Sequence, residues 1–163
     1  MWKRLNGETS RRIFAPDSGS LLDIWVFGTT SNDWQLLLNY LSAEYVSVYS
    51  EDGNITSSPR AEVILRRRNE ASATLEVMLC GFTVNCHFFE TGRIEMNLLP
   101  EDVNTPDKVE AVFELVTAIA TLLNKEVFLV PEFGGASNEK LRELAVCVVD
   151  PRDYSIRSRL DML

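Results

Sequence analysis

LEVMLCGFTVNCHFFETGRIEMNL, residues 75–98, alternates apolar and polar side chains with the period of two that is typical of β-strands. The same alternation occurs upstream, at Val63 and Leu65. We therefore predict a central meander of four antiparallel strands whose apolar side chains all point to one face. The apolar positions of its last three strands are Leu75, Val77, Leu79, Phe82, Val84, Cys86, Phe88, Ile94, Met96 and Leu98.

The alternation also predicts how the last two strands pair. If Cys86 faces Met96, every apolar side chain of both strands lies on one face, whereas a shift by one residue mixes polar with apolar positions. This register leaves the short loop 90–92, in which Gly92 occupies a position that commonly has a positive φ. Gly81, between the two preceding strands, predicts a tight turn or a bulge.

The other face of the meander is predicted to carry a ladder of polar side chains. The register places His87 opposite Glu95 and Asn85 opposite Asn97, with Glu76 beside them. A neighbouring carboxylate favours imidazolium, so we expect Glu95 to raise the pKa of His87 toward physiological pH. We predict that Glu76, Asn85, His87 and Glu95 bind a partner, because an antiparallel sheet covered on one face leaves the other free. An exposed cross-strand pair without function is the alternative interpretation.

Two helices are predicted to pack on the apolar face of this sheet. Thr30 precedes the first, which ends near Ala43, and Thr105 and Pro106 are favourable residues for the start of the second. The second helix is apolar over so much of its surface that we expect burial on two sides, against the sheet and against the first helix or a second subunit.

The whole chain, residues 1–163, is therefore predicted to be a single α+β domain with a mainly antiparallel sheet, a central four-strand meander and two helices packed on one face. Further strands are predicted at residues 22–27, 45–49, 127–130, 144–149 and 154–159.

The chain is acidic, with 16 Lys and Arg residues against 24 Asp and Glu residues and a formal net charge of -8. This charge opposes nucleic-acid binding and favours a basic protein partner. Acidic residues are densest around the start of the second predicted helix, where they stabilise the helix N-terminus or receive such a partner. These further candidate partner-binding residues are Glu101, Asp102, Asp107, Glu110 and Glu114.

We predict no catalytic residues, no metal site and no cofactor. Cys80, Cys86 and Cys147 lack the spacing of zinc or redox motifs and are expected in the core. Cys86 and His87 are adjacent on a strand and therefore point to opposite faces, which prevents a nucleophile–base pair. Gly134 lies outside any nucleotide-binding glycine pattern. The odd number of cysteines and the absence of a long apolar run predict a cytoplasmic protein without a membrane partner.

The block FTVNCHFFETGRIEMNLLPED, residues 82–102, and the later LLNKEVFLVPE, residues 122–132, resemble a segment found in small bacterial α+β proteins. Some of those proteins resemble the immunity proteins of polymorphic or contact-dependent toxin systems. The resemblance covers residues 80–132 and implies a protein partner, without assigning a role to any single residue.

The first hypothesis for function is a non-enzymatic protein-binding module, immunity-like, whose acidic surface neutralises a basic toxin or effector. The alternative is a small-ligand-binding protein or minor enzyme that uses the polar sheet face. A homodimer formed through the second helix is a third hypothesis.

Overall fold

A computed structural model describes residues 7–15, 20–132, 137–153 and 155–158. These residues form an α+β fold in which helices pack on an antiparallel sheet. The described helices are α1 (Gly7–Ile13), α2 (Ser31–Glu44), α3 (Ala61–Arg66), α4 (Pro106–Leu123) and α5 (Asn138–Leu144). The described strands are β1 (Leu22–Phe27), β2 (Ser47–Glu51), β3 (Asn54–Ile55), β4 (Ala73–Leu79), β5 (Phe82–His87), β6 (Arg93–Leu98), β7 (Val127–Pro131), β8 (Cys147–Val149) and β9 (Ile156–Ser158).

The strands lie in one sheet of nine, in the order β3-β2-β4-β5-β6-β1-β7-β8-β9, and each described neighbouring pair is antiparallel. The first strand, β1, is inserted between β6 and β7. Because β1 is antiparallel to both, β6 and β7 run parallel, and α4 provides the crossover that a parallel pair requires.

The predicted register of the β5–β6 hairpin is confirmed. Cys86 pairs with Met96 and His87 with Glu95. Gly81 lies in a tight turn, as predicted: Cys80 and Gly81 have φ of 49° and 85° between the paired ends of β4 and β5. Two successive positive φ angles indicate a type I′ turn, whose twist matches that of the flanking strands.

Two expectations about the loops of this hairpin region are wrong. Gly92 does not have a positive φ, because tertiary hydrogen bonds hold its loop: the carbonyl of Thr91 accepts from Thr29 Oγ1 (2.6 Å) and from Trp34 Nε1 (3.2 Å). Cys80 is exposed at its turn instead of lying in the core.

The other cysteines are buried, as predicted. Burial raises the pKa of the Cys86 and Cys147 thiols to about 12, which keeps both thiols protonated at neutral pH.

The first strand predicted for the meander, at Val63 and Leu65, is instead the helix α3. Its buried residues Ala61, Ile64 and Leu65 follow helical spacing. The side chain of Gln35 on α2 accepts a hydrogen bond from the backbone N–H of Ala61 at 2.7 Å, which satisfies one free donor at the helix start. The strand beside β4 is β2. Four neighbouring antiparallel strands are therefore present, but the first of them is β2 and not the predicted segment at Val63 and Leu65.

Helices α2 and α4 begin at the predicted caps and pack on the apolar face. The Thr30 side chain accepts from the backbone N–H of Asp33, and the Thr105 side chain from that of Lys108. The wide apolar surface of α4 is buried within the chain, by the sheet and by α2, so that Leu115 is fully enclosed. It therefore does not need a second subunit.

The prediction that helices occupy only one face is wrong, because α5 lies on the other. There it covers β1, β7 and β8 and encloses a second, smaller apolar cluster. Part of the segment predicted as the strand 144–149 is thus helical, and β8 begins at Cys147.

The last strand occupies Ile156–Ser158, and residues 154 and 159 of its predicted range lie outside the described residues. None of the described helices has the length and hydropathy to cross a bilayer.

The second apolar cluster consists of Trp25, Phe27, Phe128, Val130, Leu141, Ala145 and Val148. The remainder of this side of the sheet, formed by the outward-pointing residues of β3, β2, β4, β5 and β6 and bordered by Asp23 of β1, is called the open face below.

Replacing Gly81 by Ala is expected to destabilise the protein by about 1 to 2 kcal/mol, because an L-residue is strained at φ 85°. Urea unfolding measures this difference. Gly92→Ala is the matched control, since a Cβ there meets no atom within 4 Å and φ is not positive. Equal losses of stability in the two variants would contradict the turn geometry.

Candidate functional site

The open face carries a row of polar side chains that runs across four strands. Glu76 pairs with Asn85, Asn85 with Asn97, and Asn97 with Asp23, on β4, β5, β6 and β1 respectively. The predicted positions of Glu76 and Asn85 are therefore confirmed. Asp23 extends the row beyond the meander, to the border of the region that α5 covers.

A second row runs parallel to the first, one step along the strands. Here Thr74 pairs with His87, His87 with Glu95, and Glu95 with Trp25. From Trp25 the row continues to Phe128 on β7, beneath α5. The first row thus passes from the exposed Glu76 to the buried Asp23, and the second from the half-buried Thr74 to the buried Trp25.

His87 bonds to Asn97 rather than to the facing Glu95. Asn97 Nδ2 donates to His87 Nε2 at 2.9 Å, while Phe89 stacks on the imidazole with the ring centroids 5.2 Å apart. Burial lowers the pKa of His87 from its ordinary value of 6.5, which contradicts the expectation of a raised pKa. The imidazole is therefore mainly neutral at pH 7, because partial desolvation outweighs the opposing effect of the hydrogen bond with Asn97.

Asp23 is a candidate site residue that the sequence analysis did not single out. It interrupts the apolar strand LDIWVF, and its side chain is only 5% exposed. The pKa of Asp23 is raised to about 7, mainly by burial and also by repulsion from Glu95 and Glu132, and the Trp25 indole opposes this rise. The sequence feature that could have identified Asp23 is a single carboxylate within an otherwise apolar strand.

The indole of Trp25 lies next to this carboxylate without forming a hydrogen bond. Its N–H favours the charged form of Asp23. Yet its geometry leaves Nε1 buried and without a hydrogen-bond partner among the described residues. A buried unpaired donor is costly, and such groups are rare in folded proteins.

Arg93 is two residues from Glu95 in the sequence, and its guanidinium already contacts other side chains. It forms an ion pair with Glu90, donates to Asn138 Oδ1 at 3.0 Å and lies over the Trp25 ring at 4.8 Å from the centroid. Burial raises the pKa of Glu95, and Arg93 only partly opposes this. The charges of the Asp23 and Glu95 carboxylates are therefore not fully neutralised by a nearby cation.

Exposed apolar side chains surround the polar rows. Six large hydrophobic side chains are exposed among the described residues, and Leu36 of α2 is the one that lies away from the open face. Ile55 and Met78 lie on the open face by strand alternation, and Phe89 stacks there on His87. Val46 and Leu99 adjoin the ends of β2 and β6 at the edge of this face. We call these five residues the apolar rim: Val46, Ile55, Met78, Phe89 and Leu99.

The predicted acidic segment is not part of this face. It surrounds the start of α4, on the side of the sheet that carries the main core. Glu101 and Glu110 line a cleft of about 700 Å³ that also involves α1. The other three predicted residues, Asp102, Asp107 and Glu114, do not line that cleft. The predicted site residues therefore form two separate groups, one on each side of the sheet.

The thiol of Cys86 is not part of the open face. Cys86 points into the core, away from the neighbouring His87. Across the described parts of the chain, no three His, Cys, Asp or Glu side chains are grouped closely enough to hold a metal ion. No protein-family model, curated protein or solved structure matches the chain.

Replacing Asp23 by Asn is expected to change how stability depends on pH. A carboxyl whose pKa is raised to about 7 in the folded state, against 3.8 unfolded, stabilises the fold at low pH and loses that contribution as pH rises toward 7. From pH 5 to pH 7.5, the stability of Asp23→Asn relative to the native chain should rise by about 2 to 3 kcal/mol. Denaturant unfolding at each pH measures this.

Glu76→Gln is the matched control, because Glu76 is an exposed carboxylate in the same row. Its stability profile should run parallel to that of the native chain. A parallel profile for Asp23→Asn as well would show that Asp23 titrates normally.

Proposed function

We propose that this chain is a non-enzymatic protein-binding module that uses the open face to bind a basic protein, in the manner of an immunity protein that covers a toxin or effector. One observation carries the proposal: of the six exposed large hydrophobic side chains in the described parts of the chain, five lie on or at the edge of the face that bears the polar rows. Exposed apolar groups concentrated with oriented polar groups are typical of protein interaction sites.

The size of the face fits a protein partner. The open face spans five neighbouring strands, β3 to β6 in sheet order. With strands about 4.8 Å apart and about 3.4 Å per residue, it measures roughly 20 by 20 Å. This area is sufficient for the central part of a standard protein–protein interface. The hydrogen-bonded sheet beneath it is rigid, which lowers the entropic cost of binding.

The charge of the face favours a basic partner. The exposed carboxylate of Glu76 lies at the solvent end of the first polar row, and the whole chain has a net charge of -8. Such a surface accelerates encounter with a positively charged protein. The resemblance of residues 80–132 to immunity-like proteins supports a neutralising role.

The shape of the face favours a protein over a small ligand. Small molecules bind mainly in concave pockets. Of the two clefts identified among the described residues, one lies at α1 and α4, and the other touches the open face only at Phe89. The polar rows line neither cleft.

The proposal is tested by comparing variants of the open face with a variant on α2. The native chain, the double variant Met78→Ser/Phe89→Ser and the single variant Leu36→Ser are immobilised and presented to an extract of the source cells. Met78 and Phe89 belong to the apolar rim, whereas Leu36 is the exposed apolar residue outside it. Bound proteins are quantified by mass spectrometry.

We expect one basic protein to be recovered stoichiometrically by the native chain and by Leu36→Ser. With the purified partner, the double variant should bind at least ten times more weakly, because it removes two anchors of about 1 kcal/mol or more each. A partner retained by the double variant, or no stoichiometric partner at all, would count against the proposal.

A further inference from the structure

We propose that the cleft of about 700 Å³ between α1 and the start of α4 binds a short apolar peptide by its two free ends, with the terminal carboxylate at Arg11 and the terminal ammonium at Glu101. This cleft lies on the side of the sheet that carries the main core, so the inference does not depend on the proposed function of the open face. It is carried by the volume of the cleft, by its apolar floor and by the opposite charges on its two walls.

The cleft has the size of a site for a small organic ligand. Its volume of about 700 Å³ lies within the range of roughly 300 to 1,000 Å³ that is typical of such sites. One wall is formed by α1 and the two residues that follow it. The other wall is formed by residues 100–113, which comprise a 3₁₀ turn and the first two turns of α4. A ligand in the cleft therefore contacts two separate parts of the chain at once.

The floor of the cleft is apolar and preformed. Phe14, Val103 and Phe113 line the cleft, and each of them is at most 4% exposed. The rings of Phe14 and Phe113 contact each other edge to face, with their centroids 5.9 Å apart. The less buried Pro106 and Val109 extend this apolar surface. Apolar side chains of a ligand are therefore removed from water here without a cost for ordering the floor.

The two walls carry opposite charges. Arg11 lines the cleft from α1, and Glu101 lines it from the turn that precedes α4. Both side chains are exposed, and within the described parts of the chain neither forms an ion pair or a side-chain hydrogen bond. Glu110 of α4 adds a second carboxylate to the wall of Glu101. The cleft thus presents a cationic wall and an anionic wall around an apolar centre.

This arrangement favours a ligand with opposite charges at its two ends. A guanidinium binds a carboxylate through two parallel hydrogen bonds, and a carboxylate accepts charge-assisted hydrogen bonds from an ammonium group. An amphipathic molecule with a single charge would pair with one wall and be repelled by the other. A peptide with free ends separates its two charges along its length, whereas both charges of a single amino acid are attached to the same carbon atom.

The dimensions of the cleft favour two or three residues. A volume of 700 Å³ corresponds to a width of about 9 Å if the three dimensions are equal. Two to three extended residues span about 7 to 11 Å. The side chains of Ser10 and Asn104 supply polar groups for the peptide bonds between the two ends. Asn104 Oδ1 already accepts from Lys108 Nζ at 3.2 Å, which leaves the Nδ2 donors of Asn104 for a carbonyl oxygen.

The experiment uses one dipeptide and its blocked forms as probes. The full chain is titrated with phenylalanyl-leucine, with its N-acetyl form, with its C-terminal amide and with the doubly blocked compound. Nuclear magnetic resonance follows the backbone amides of Ala15, Val103 and Val109 at the cleft, and that of Asn85 on the open face as the control.

We expect the free dipeptide at millimolar concentration to cause saturable shifts at the three cleft amides and none at Asn85. Blocking either end should weaken binding about fivefold, which is the upper range for one exposed ion pair. Blocking both ends should abolish saturation.

Two charge-neutralising variants assign each end of the peptide to a wall. Arg11→Gln should weaken the binding of the free dipeptide and of its N-acetyl form about fivefold and leave the amide unchanged, because the amide has no carboxylate. Glu101→Gln should weaken the binding of the free dipeptide and of the amide and leave the N-acetyl form unchanged. Arg12→Gln and Glu114→Gln are the matched controls, since neither residue lines the cleft.

Three results would each overturn the peptide site: no saturable shifts at the cleft amides, equal affinity for the doubly blocked compound, or variants of Arg11 and Glu101 that bind all four compounds as the native chain does. The capture experiment with Met78→Ser/Phe89→Ser reports on the open face alone. The peptide site and the protein-binding face are therefore tested separately.

Discussion

The alternation of side chains along β4, β5 and β6 is the constraint on which the rest of the structure depends. In the observed register Val84 and Cys86 lie in the core, and Asn85 and His87 lie on the open face. A shift by one residue would bury the amide and the imidazole and expose their apolar neighbours, at a cost of several kcal/mol. The core therefore determines the chemistry of the opposite surface.

The two sides of the sheet are covered unequally, and the uncovered part of one side is the open face that carries the candidate site. The main core covers one side of the sheet from β2 to β9, whereas α5 covers only β1, β7 and β8 on the other. Asp23 lies at the border of that covered region, where its row passes from amides to the apolar Val130. The low dielectric of the border, together with nearby carboxylates, explains why its pKa is raised to about 7.

The open face combines the features by which proteins recognise one another. Its apolar rim supplies area that is favourable to remove from water, its amides and imidazole supply oriented hydrogen-bonding groups, and its carboxylates supply charge. His87 is held by Asn97 and stacked on Phe89, and these contacts orient the imidazole on the open face. The acidic segment at the start of α4 lies on the other side of the sheet and belongs to a different surface.

Local patterns in the sequence determined the β5–β6 register, the tight turn at Gly81, the starts of α2 and α4, and the presence of Glu76, Asn85, His87 and Glu95 on one face. These features depend on residues close together in the chain, where periodicity and capping chemistry act directly. The same reasoning mistook α3 for a strand, because two apolar residues are too few to distinguish a period of two from helical spacing.

Only the tertiary structure decided that β1 lies between β6 and β7 and that α5 covers the far side of the sheet. Both features bring together residues that are far apart in the chain, such as Asp23 with Asn97 and Trp25 with Glu95. The burial of Asp23 and the lowered pKa of His87 follow from those contacts. A pKa reflects the surroundings of a group in space, and alternation along one strand does not specify which strand becomes its neighbour.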